Sequence, residues 1–205
     1  PVPGLQTLRT HAARPICAGE RDCRELAYRY AGIGARLLPL PLCRPWTLGE
    51  AEATVFPTSH DAPGSCGLRL DTPFGGIGIL TDTGFVTDEA ADILPGVDLA
   101  VLEANHDVET LRSGPYPFYL KQRILGGRGH LCNEDAARFA VTLAESGASE
   151  LILAHLSREN NTPVMALRAV ETALSAAGLS PLLSAAPRES LSGAHTLSGR
   201  AVCRR

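Results

Sequence analysis

The clearest pattern of apolar and polar positions begins near residue 52, where short apolar runs alternate with turns. Turns such as Ala62-Pro63-Gly64 and Pro73-Phe74-Gly75-Gly76 bound these runs, and such punctuation is typical of β-strands. The pattern predicts strands over 52–57, 66–71, 76–81 and 98–104. Residues 1–50 lack this order, so we expect an irregular stretch there, with one helix around 21–29.

Helical spacing replaces this pattern after residue 133. Alanines recur at helical spacing over 134–147, which predicts a helix capped by Asn133 and closed by Gly147. A strand over 150–155 follows, and Thr162-Pro163 is typical of a helix start, here over 164–177. Residues 179–205 predict a short strand at best and then a loose tail. Since the chain shows neither a repeat nor a linker, we expect one domain over 1–205.

Composition narrows the class of protein. The 205 residues are 44% hydrophobic, enough for one domain with a core, and the net charge of −3 excludes a global basic field. Six scattered cysteines predict reduced thiols, and no apolar run is long enough to cross a bilayer. We therefore expect a cytoplasmic protein without membrane contact. Because the chain begins Pro1-Val2-Pro3, without methionine, we also expect a fragment.

Four predicted strands end on or just before a histidine or an aspartate. These residues are His60, Asp82, His106 and His155. A strand such as Leu151-Ile152-Leu153-Ala154 would otherwise end on an apolar residue or a turn-former. Imidazole and carboxylate groups gathered at one sheet edge are the ligands of Zn²⁺ and Mn²⁺, so the pattern predicts one metal site.

Two of these residues, Asp82 and His60, also have a simpler interpretation. Asp82, in Thr81-Asp82-Thr83-Gly84, suits a ligand that bridges two ions, but an Asx-turn would explain it as well. His60 could bind a metal through one nitrogen while Asp61 holds the other, although a lone loop histidine is more often solvated. Neither motif decides the question alone.

Two further segments are dense in polar groups. In Leu102-Glu103-Ala104-Asn105-His106-Asp107, a helix N-cap would explain Asn105 or Asp107 before a short helix, but not Glu103. His130 precedes the helix predicted over 134–147, where free backbone N–H groups suit a phosphate. It is placed as a proton donor or anion contact, unless it is an ordinary surface histidine.

The motifs together resemble metallo-β-lactamase-fold phosphodiesterases. The resemblance rests on His60, Thr81-Asp82-Thr83-Gly84, Gly129-His130-Leu131 and Leu153-Ala154-His155-Leu156-Ser157. The YycJ-like DNA exonucleases of that superfamily are similar in four more segments: Leu102–Asp107, Gly114-Pro115-Tyr116-Pro117, Leu120–Leu125 and Glu159-Asn160-Asn161-Thr162-Pro163. The resemblance covers residues 50–178. It implies an α/β (α+β) fold, a partial αββα sandwich with a mixed β-sheet and helices on the outside.

The resemblance also implies two divalent ions, Zn²⁺ or Mn²⁺, and hydrolysis of single-stranded DNA or another nucleic acid. His60 and His155 would each bind one ion, Asp82 would bridge them, and His130 would contact the scissile phosphate or protonate the leaving oxygen. Glu103, His106 and Asp61 would orient ligands or contact substrate. A basic loop over 112–128 would bind the nucleic acid through Arg112, Lys121, Arg123, Arg128, Tyr116, Tyr119 and Phe118. Homo-oligomerisation stays open.

One departure from that family matters. The superfamily takes half of its metal ligands from an H-x-H-x-D-H segment, which is not found in this sequence. One histidine and a shared aspartate per ion fall short of the three or four ligands of a stable Zn²⁺ site. We therefore expect either the C-terminal part of a nuclease, impaired as it stands, or a non-catalytic scaffold or nucleic-acid-binding remnant. A lactonase or thioesterase remains an alternative, but the basic segment argues for a polymeric phosphate.

Overall fold

The computed structural model describes residues 15–30 and 32–197. Its strands are β1 Ile16–Gly19, β2 Leu37–Leu40, β3 Pro45–Leu48, β4 Ala51–Pro57, β5 Cys66–Thr72, β6 Gly75–Leu80, β7 Leu99–Glu103, β8 Glu150–Ala154 and β9 Leu182–Ala185. The helices are α1 Glu20–Arg29, α2 Asp88–Ile93, α3 Val108–Ser113, α4 Phe118–Leu125, α5 Asn133–Glu145 and α6 Pro163–Ala176, with a 3₁₀ turn at Gly34–Arg36. Predictions for 1–14 and 198–205 lie outside the described residues.

The main sheet is mixed. Its strand order is β3-β4-β5-β6-β7-β8-β9, while β1 and β2 form a separate parallel pair. The strands from β3 to β6 pair antiparallel, and those from β6 to β9 pair parallel. Antiparallel neighbours need only tight turns, whereas the parallel ones are joined through helices. The predicted mixed sheet with helices is confirmed.

The core lies between one face of this sheet and the helices. Leu80, Leu102 and Leu153 are register partners on β6, β7 and β8, so their side chains share that face, and each is at most 1% exposed. Ala140 of α5 and Val170 of α6 belong to the same buried cluster. Burying each leucine contributes roughly 1.5–3 kcal/mol, which holds the strand ends in fixed register. Among the described residues, no helix has the length and apolarity that crossing a bilayer requires.

Several element predictions are confirmed and three are wrong. The helix around 21–29, the four strands from 52 to 104, the strand at 150–154 and the short last strand are all present. Residues 15–50 are not irregular, because they contain β1, β2 and β3, whose four-residue lengths are too short for a clear periodicity. The basic loop predicted over 112–128 is largely helical: α4 places Leu120 and Ile124, one turn apart, on one half-buried side.

The third error concerns the cap of α5. The cap is Cys132, whose Sγ accepts from the Asp135 N–H at 3.5 Å, and not Asn133. Asn133 is the first helical residue, and its buried amide bonds Asn161 instead. The helix start predicted at Thr162-Pro163 is confirmed, and the Thr162 Oγ1 caps the helix by accepting from the Met165 N–H at 3.2 Å. Asp107 likewise caps α3 through the Thr110 N–H.

Candidate metal centre

The candidate site lies at one edge of the main sheet. Strands β4, β6, β7 and β8 run toward this edge, because β4 and β6 both pair antiparallel with β5, and the others pair parallel. Glu103 is the last residue of β7, and the segments that leave β4, β6 and β8 carry His60, Asp82 and His155. His130 joins them from the loop before α5. The structure thus gathers four of the predicted ligand or catalytic residues, together with Glu103.

Glu103 is a buried carboxylate that holds two histidines. Its side chain is fully buried, and its Oε1 lies 2.7 Å from His130 Nδ1 and 2.8 Å from His155 Nδ1. Its Oε2 accepts from the Thr83 N–H at 2.9 Å. Burial raises the pKa of this carboxyl, but the hydrogen bonds from His130, His155 and Thr83 outweigh burial and leave the pKa below its usual value.

The ionised state of Glu103 determines the tautomers of both histidines. A carboxylate can only accept hydrogen bonds, so His130 and His155 must each carry a proton on Nδ1. Their Nε2 atoms are then free to present a lone pair or a second proton. The hydrogen bond to Glu103 raises the pKa of His155, an effect that burial reduces and the nearby Asp82 supports.

His60 is oriented in the same manner by a different acceptor. Its Nδ1 lies 2.9 Å from the Gly129 carbonyl oxygen, which can only accept, so this nitrogen donates. The His60 Nε2 lies 3.7 Å from Asp82 Oδ1, and His155 Nε2 lies at the same distance from that oxygen. Two imidazole nitrogens therefore converge on one carboxylate oxygen, each too far away for a hydrogen bond.

This spacing fits a divalent cation. Two ligand atoms on one tetrahedral Zn²⁺ lie roughly 3.4 Å apart, given metal–ligand distances of about 2.1 Å. His60, Asp82 and His130 also form a group whose ligand atoms lie within 4.8 Å of one another. Glu103, His130 and His155 meet that criterion as well, but their 2.7–2.8 Å contacts are those of hydrogen bonds. We therefore place Glu103 behind the ligands and not among them.

Two of these residues have an unusual backbone. Asp82 and His155 have φ values of 56° and 57°, in the left-handed region that L side chains seldom adopt. Neighbouring groups hold both turns: Asn105 Nδ2 donates to the His155 carbonyl at 2.8 Å, and Ser65 Oγ donates to that of Asp82 at 3.3 Å. Such strain of about 1–3 kcal/mol persists where the surroundings fix it, and it is frequent at functional sites.

A cavity of about 340 Å³ opens beside the three site histidines. Tyr116 and, from α4, Leu120, Arg123 and Ile124 also line it. The lining therefore combines imidazoles with apolar side chains and the Arg123 guanidinium. A concave site of this type suits a ligand with a flat apolar part and an anionic part.

The remaining predicted residues lie at varied distances from the cavity. Asp61 lines it and accepts from Arg123 Nε at 2.5 Å, and this hydrogen bond holds the pKa of Asp61 below its usual value. Arg128 donates to the His60 carbonyl. Arg128 does not line the cavity, and neither do Arg112, Lys121 and Tyr119. Lys121 donates to the carbonyl of Arg112, and Tyr119 is 74% exposed on α4.

His106 is deeply buried. Its side chain is 1% exposed, and neither ring nitrogen has a hydrogen-bond partner among the described residues. Burial lowers its pKa to about 4, although Glu103 acts in the opposite direction. Since it does not line the cavity, its predicted substrate contact gains no support from this position.

Two backbone contributors to the site were not foreseen. Gly129 O orients His60 and Thr83 N–H binds Glu103. Main-chain atoms carry no residue-type signal, so periodicity and motif chemistry do not point to them. In the sequence, these positions are indicated only through their neighbours His130 and Asp82, which are candidate site residues by type.

The sheet order and the histidine-rich edge resemble those of the metallo-β-lactamase fold. Residues 2–156 match the family model described as Beta-lactamase superfamily domain, and the chain belongs to this family.

Curated relatives match more than half of the chain. The chain is 38% identical over 132 residues to exodeoxyribonuclease YycJ of Bacillus anthracis, covering 64% of this chain and 50% of that protein. It is 42% identical over 120 residues to exodeoxyribonuclease WalJ of Streptococcus pneumoniae, covering 58% of this chain and 45% of that protein. The chain thus spans about half the length of the curated relatives it matches.

Solved structures support the fold alone. The metallo-β-lactamase fold protein YhfI from Bacillus subtilis matches with a TM-score of 0.64 at 18% identity, covering 96% of this chain and 69% of that one. A diphosphatase of the PhnP family matches with a TM-score of 0.59 at 20% identity, covering 96% and 68%.

Proposed function

We propose that the chain is part of a metal-dependent phosphodiesterase, most specifically a single-stranded DNA exonuclease. The observation that carries the proposal is the convergence of His60 Nε2 and His155 Nε2 on Asp82 Oδ1, at 3.7 Å each. The names of the YycJ and WalJ relatives support the substrate class.

The residues of this chain have separate tasks in that proposal. His60 and His155 would hold two divalent ions, Zn²⁺ or Mn²⁺, with Asp82 between them. Such a pair, when bound, supplies a hydroxide at neutral pH and stabilises the attacking and leaving oxygens. His130, held through Nδ1 by Glu103, directs Nε2 toward the site and can donate a proton to the leaving oxygen or bind the phosphate.

The cavity suits the end of a nucleic acid strand. Tyr116 and Ile124 offer a surface on which a base can stack, while Arg123 and His130 face the phosphate side. Phe118 and Tyr119 are 77% and 74% exposed on α4, beyond the cavity, where they can contact the following bases. Arg112, Lys121 and Arg128 would add attraction for the backbone, so binding should weaken as salt rises.

Metal binding tests the site directly. We expect the 205-residue chain to bind Zn²⁺ weakly, because few protein donors are available per ion, and His155→Ala to lower the affinity about tenfold or more. Isothermal titration with ZnCl₂ measures this, with His195→Ala as the matched control, since His195 pairs with Glu150 outside the ligand group. Equal affinity in His155→Ala and the unchanged chain would contradict the ligand assignment.

Hydrolysis is tested with end-labelled single-stranded and duplex oligonucleotides in Mn²⁺. We expect low activity from this chain on the single strand, abolished in His155→Ala and Asp82→Asn. Cleavage at internal positions of the oligonucleotide would contradict an exonuclease. Undiminished turnover in both variants would show that hydrolysis does not use this site.

A non-catalytic nucleic-acid-binding protein is the second candidate. It is favoured by the small number of candidate donors that the described residues bring together, His60, Asp82, His130 and His155, which is fewer than two fully coordinated ions require. Salt-sensitive oligonucleotide binding without hydrolysis in either Zn²⁺ or Mn²⁺ would support this candidate over the first.

A further inference from the structure

Behind the candidate metal centre lies a group of buried asparagines, which we call the asparagine cluster: Asn105, Asn133 and Asn161. Their exposed fractions are 8%, 1% and 3%. A buried primary amide is costly unless its donors and acceptor are used, so the bonds that these side chains make define what they hold in place.

Asn161 and Asn133 form a reciprocal amide pair. Asn161 Nδ2 donates to Asn133 Oδ1 at 2.8 Å, and Asn133 Nδ2 donates to Asn161 Oδ1 at 3.1 Å. The orientation of Asn161 follows from its other partners, since the Ala104 carbonyl can only accept and the Thr162 N–H can only donate. One side chain thereby ties the loop after β8 to the start of α5 and to the end of β7.

Asn105 connects the same segments on the side nearer the cavity. Its Nδ2 donates to the His155 carbonyl at 2.8 Å, and its own carbonyl accepts from the Ser157 N–H at 2.7 Å. Its N–H donates to the Leu131 carbonyl at 2.8 Å. Asn105 therefore holds the loop at the His155 carbonyl and again two residues later, at the Ser157 N–H.

The three segments joined in this way each lead to one member of the hydrogen-bonded group Glu103, His130 and His155. Glu103 precedes Ala104, His130 lies three residues before Asn133, and His155 lies in the loop that ends at Asn161. A shift of one segment would lengthen the hydrogen bond between Glu103 and one of the histidines. The Nδ1–H of that histidine would then have no acceptor to hold it. The imidazole could then change tautomer and turn its Nε2 away from Asp82.

We propose that the asparagine cluster consists of positioning residues that fix the tautomer and orientation of His155 and His130 through their shared hydrogen bonds to Glu103. The proposal concerns the same site as the proposed function. It does not require that a metal be bound, so it is tested in the metal-free protein.

The test is the tautomer of each histidine, read from long-range ¹H–¹⁵N spectra of the 205-residue chain in EDTA at alkaline pH, because the pKa of His155 is raised and only a neutral imidazole has a tautomer. In the unchanged chain we expect both His130 and His155 as Nδ1–H tautomers. Asn105→Ala should convert His155 to a mixture of tautomers, while His60, held by Gly129, keeps its own.

A matched control is Asn160→Ala in the same loop. Asn160 is equally buried, but its amide reaches only Ser157 Oγ, so this variant should lower stability without altering either tautomer. Asn133→Ala should shift His130 in the same spectra. An unchanged His155 tautomer in folded Asn105→Ala overturns the role of Asn105; if that variant does not fold, Asn105→Asp, which has no donor for the His155 carbonyl, decides in its place.

Zn²⁺ affinity provides a second readout, which separates this proposal from the proposed function. Loss of the oriented Nε2 should weaken Zn²⁺ binding by about ten- to a hundredfold in Asn105→Ala, the range seen when residues that orient metal ligands are removed. If the unchanged chain binds no Zn²⁺ but the tautomers shift as expected, the positioning role stands and the metal assignment fails.

Discussion

At the scale of the residue, the site depends on a few buried groups with several partners each. The fully buried Glu103 carboxylate accepts hydrogen bonds from two imidazoles and one backbone N–H. Its presence beside a histidine was visible in the sequence, but its partners were not. Its acidic type signalled a cost of burial, whereas the residues that offset this cost come from segments 20 to 52 residues away.

His106 makes stability depend on pH. Burial lowers the pKa of His106 from 6.5 to about 4 in the folded state. At a pH between these two values, His106 is protonated in the unfolded chain and neutral in the folded chain. Stability is therefore lost as pH falls. Between about pH 7.5 and pH 5, the unchanged protein should lose about 2 kcal/mol more unfolding free energy than a His106→Leu variant.

Urea unfolding of both proteins at each pH measures this difference. The charged and titratable groups that act on His106 are Glu103, His130, Glu134 and Asp107, and they are unchanged in the variant, so their own titrations contribute to both proteins. His195→Leu serves as the control. Parallel stability curves for the unchanged protein and His106→Leu would show that His106 titrates normally.

At the scale of the element, caps and lengths decided which predictions succeeded. The prediction for α6 was correct because Thr162-Pro163 is a strong local start signal, and the hydroxyl does cap the helix. The first three strands were missed because four residues give two side chains per face, too few for a pattern. The predicted cap of α5 was wrong by one residue, because asparagine is by type a better N-cap than cysteine. The Asn133 side chain instead pairs with Asn161, a tertiary contact that the local sequence does not reveal.

The cap of α5 offers a stabilising substitution. The bond from the Asp135 N–H to Cys132 Sγ is long, at 3.5 Å, and thiols are weak acceptors. Cys132→Ser should raise the unfolding free energy by about 0.5–1 kcal/mol, because a serine hydroxyl is a preferred N-cap acceptor. Chemical denaturation measures the change. Cys132→Ala should have the opposite sign, and a loss of stability in both variants would mean that packing of the sulfur outweighs the cap.

At the scale of the whole molecule, the site forms where loops from distant parts of the chain meet. Gly84 N–H donates to the Ser59 carbonyl at 2.8 Å, and Ser59 Oγ donates to Gly127 O at 2.6 Å. The sequence could predict candidate metal ligands, because their type and their place after strands are local. It could not identify this meeting point, which depends on how closely three backbones approach.

Gly84→Ala tests that approach. A Cβ at this position would lie 2.4 Å from the Gly127 backbone, which cannot move aside as a flexible side chain could. We expect a loss of about 2 kcal/mol in unfolding free energy and weaker Zn²⁺ binding, because the loop with His130 is pushed away from His60. Thermal and urea unfolding measure the first effect. Gly193→Ala, where nothing lies within 4 Å, should change neither quantity.

The division of the main sheet into an antiparallel and a parallel half has a consequence for the order of folding. The hairpins β3-β4, β4-β5 and β5-β6 join neighbours in the chain, whereas the pairing of β7 with β8 must close a loop of 46 residues between Glu103 and Glu150. Local pairings form early and distant ones late, since loop closure costs entropy before contacts compensate for it. His60 and Asp82 belong to the early half, and Glu103 and His155 to the late half. The candidate metal centre should therefore become able to bind a cation only in the last phase of refolding.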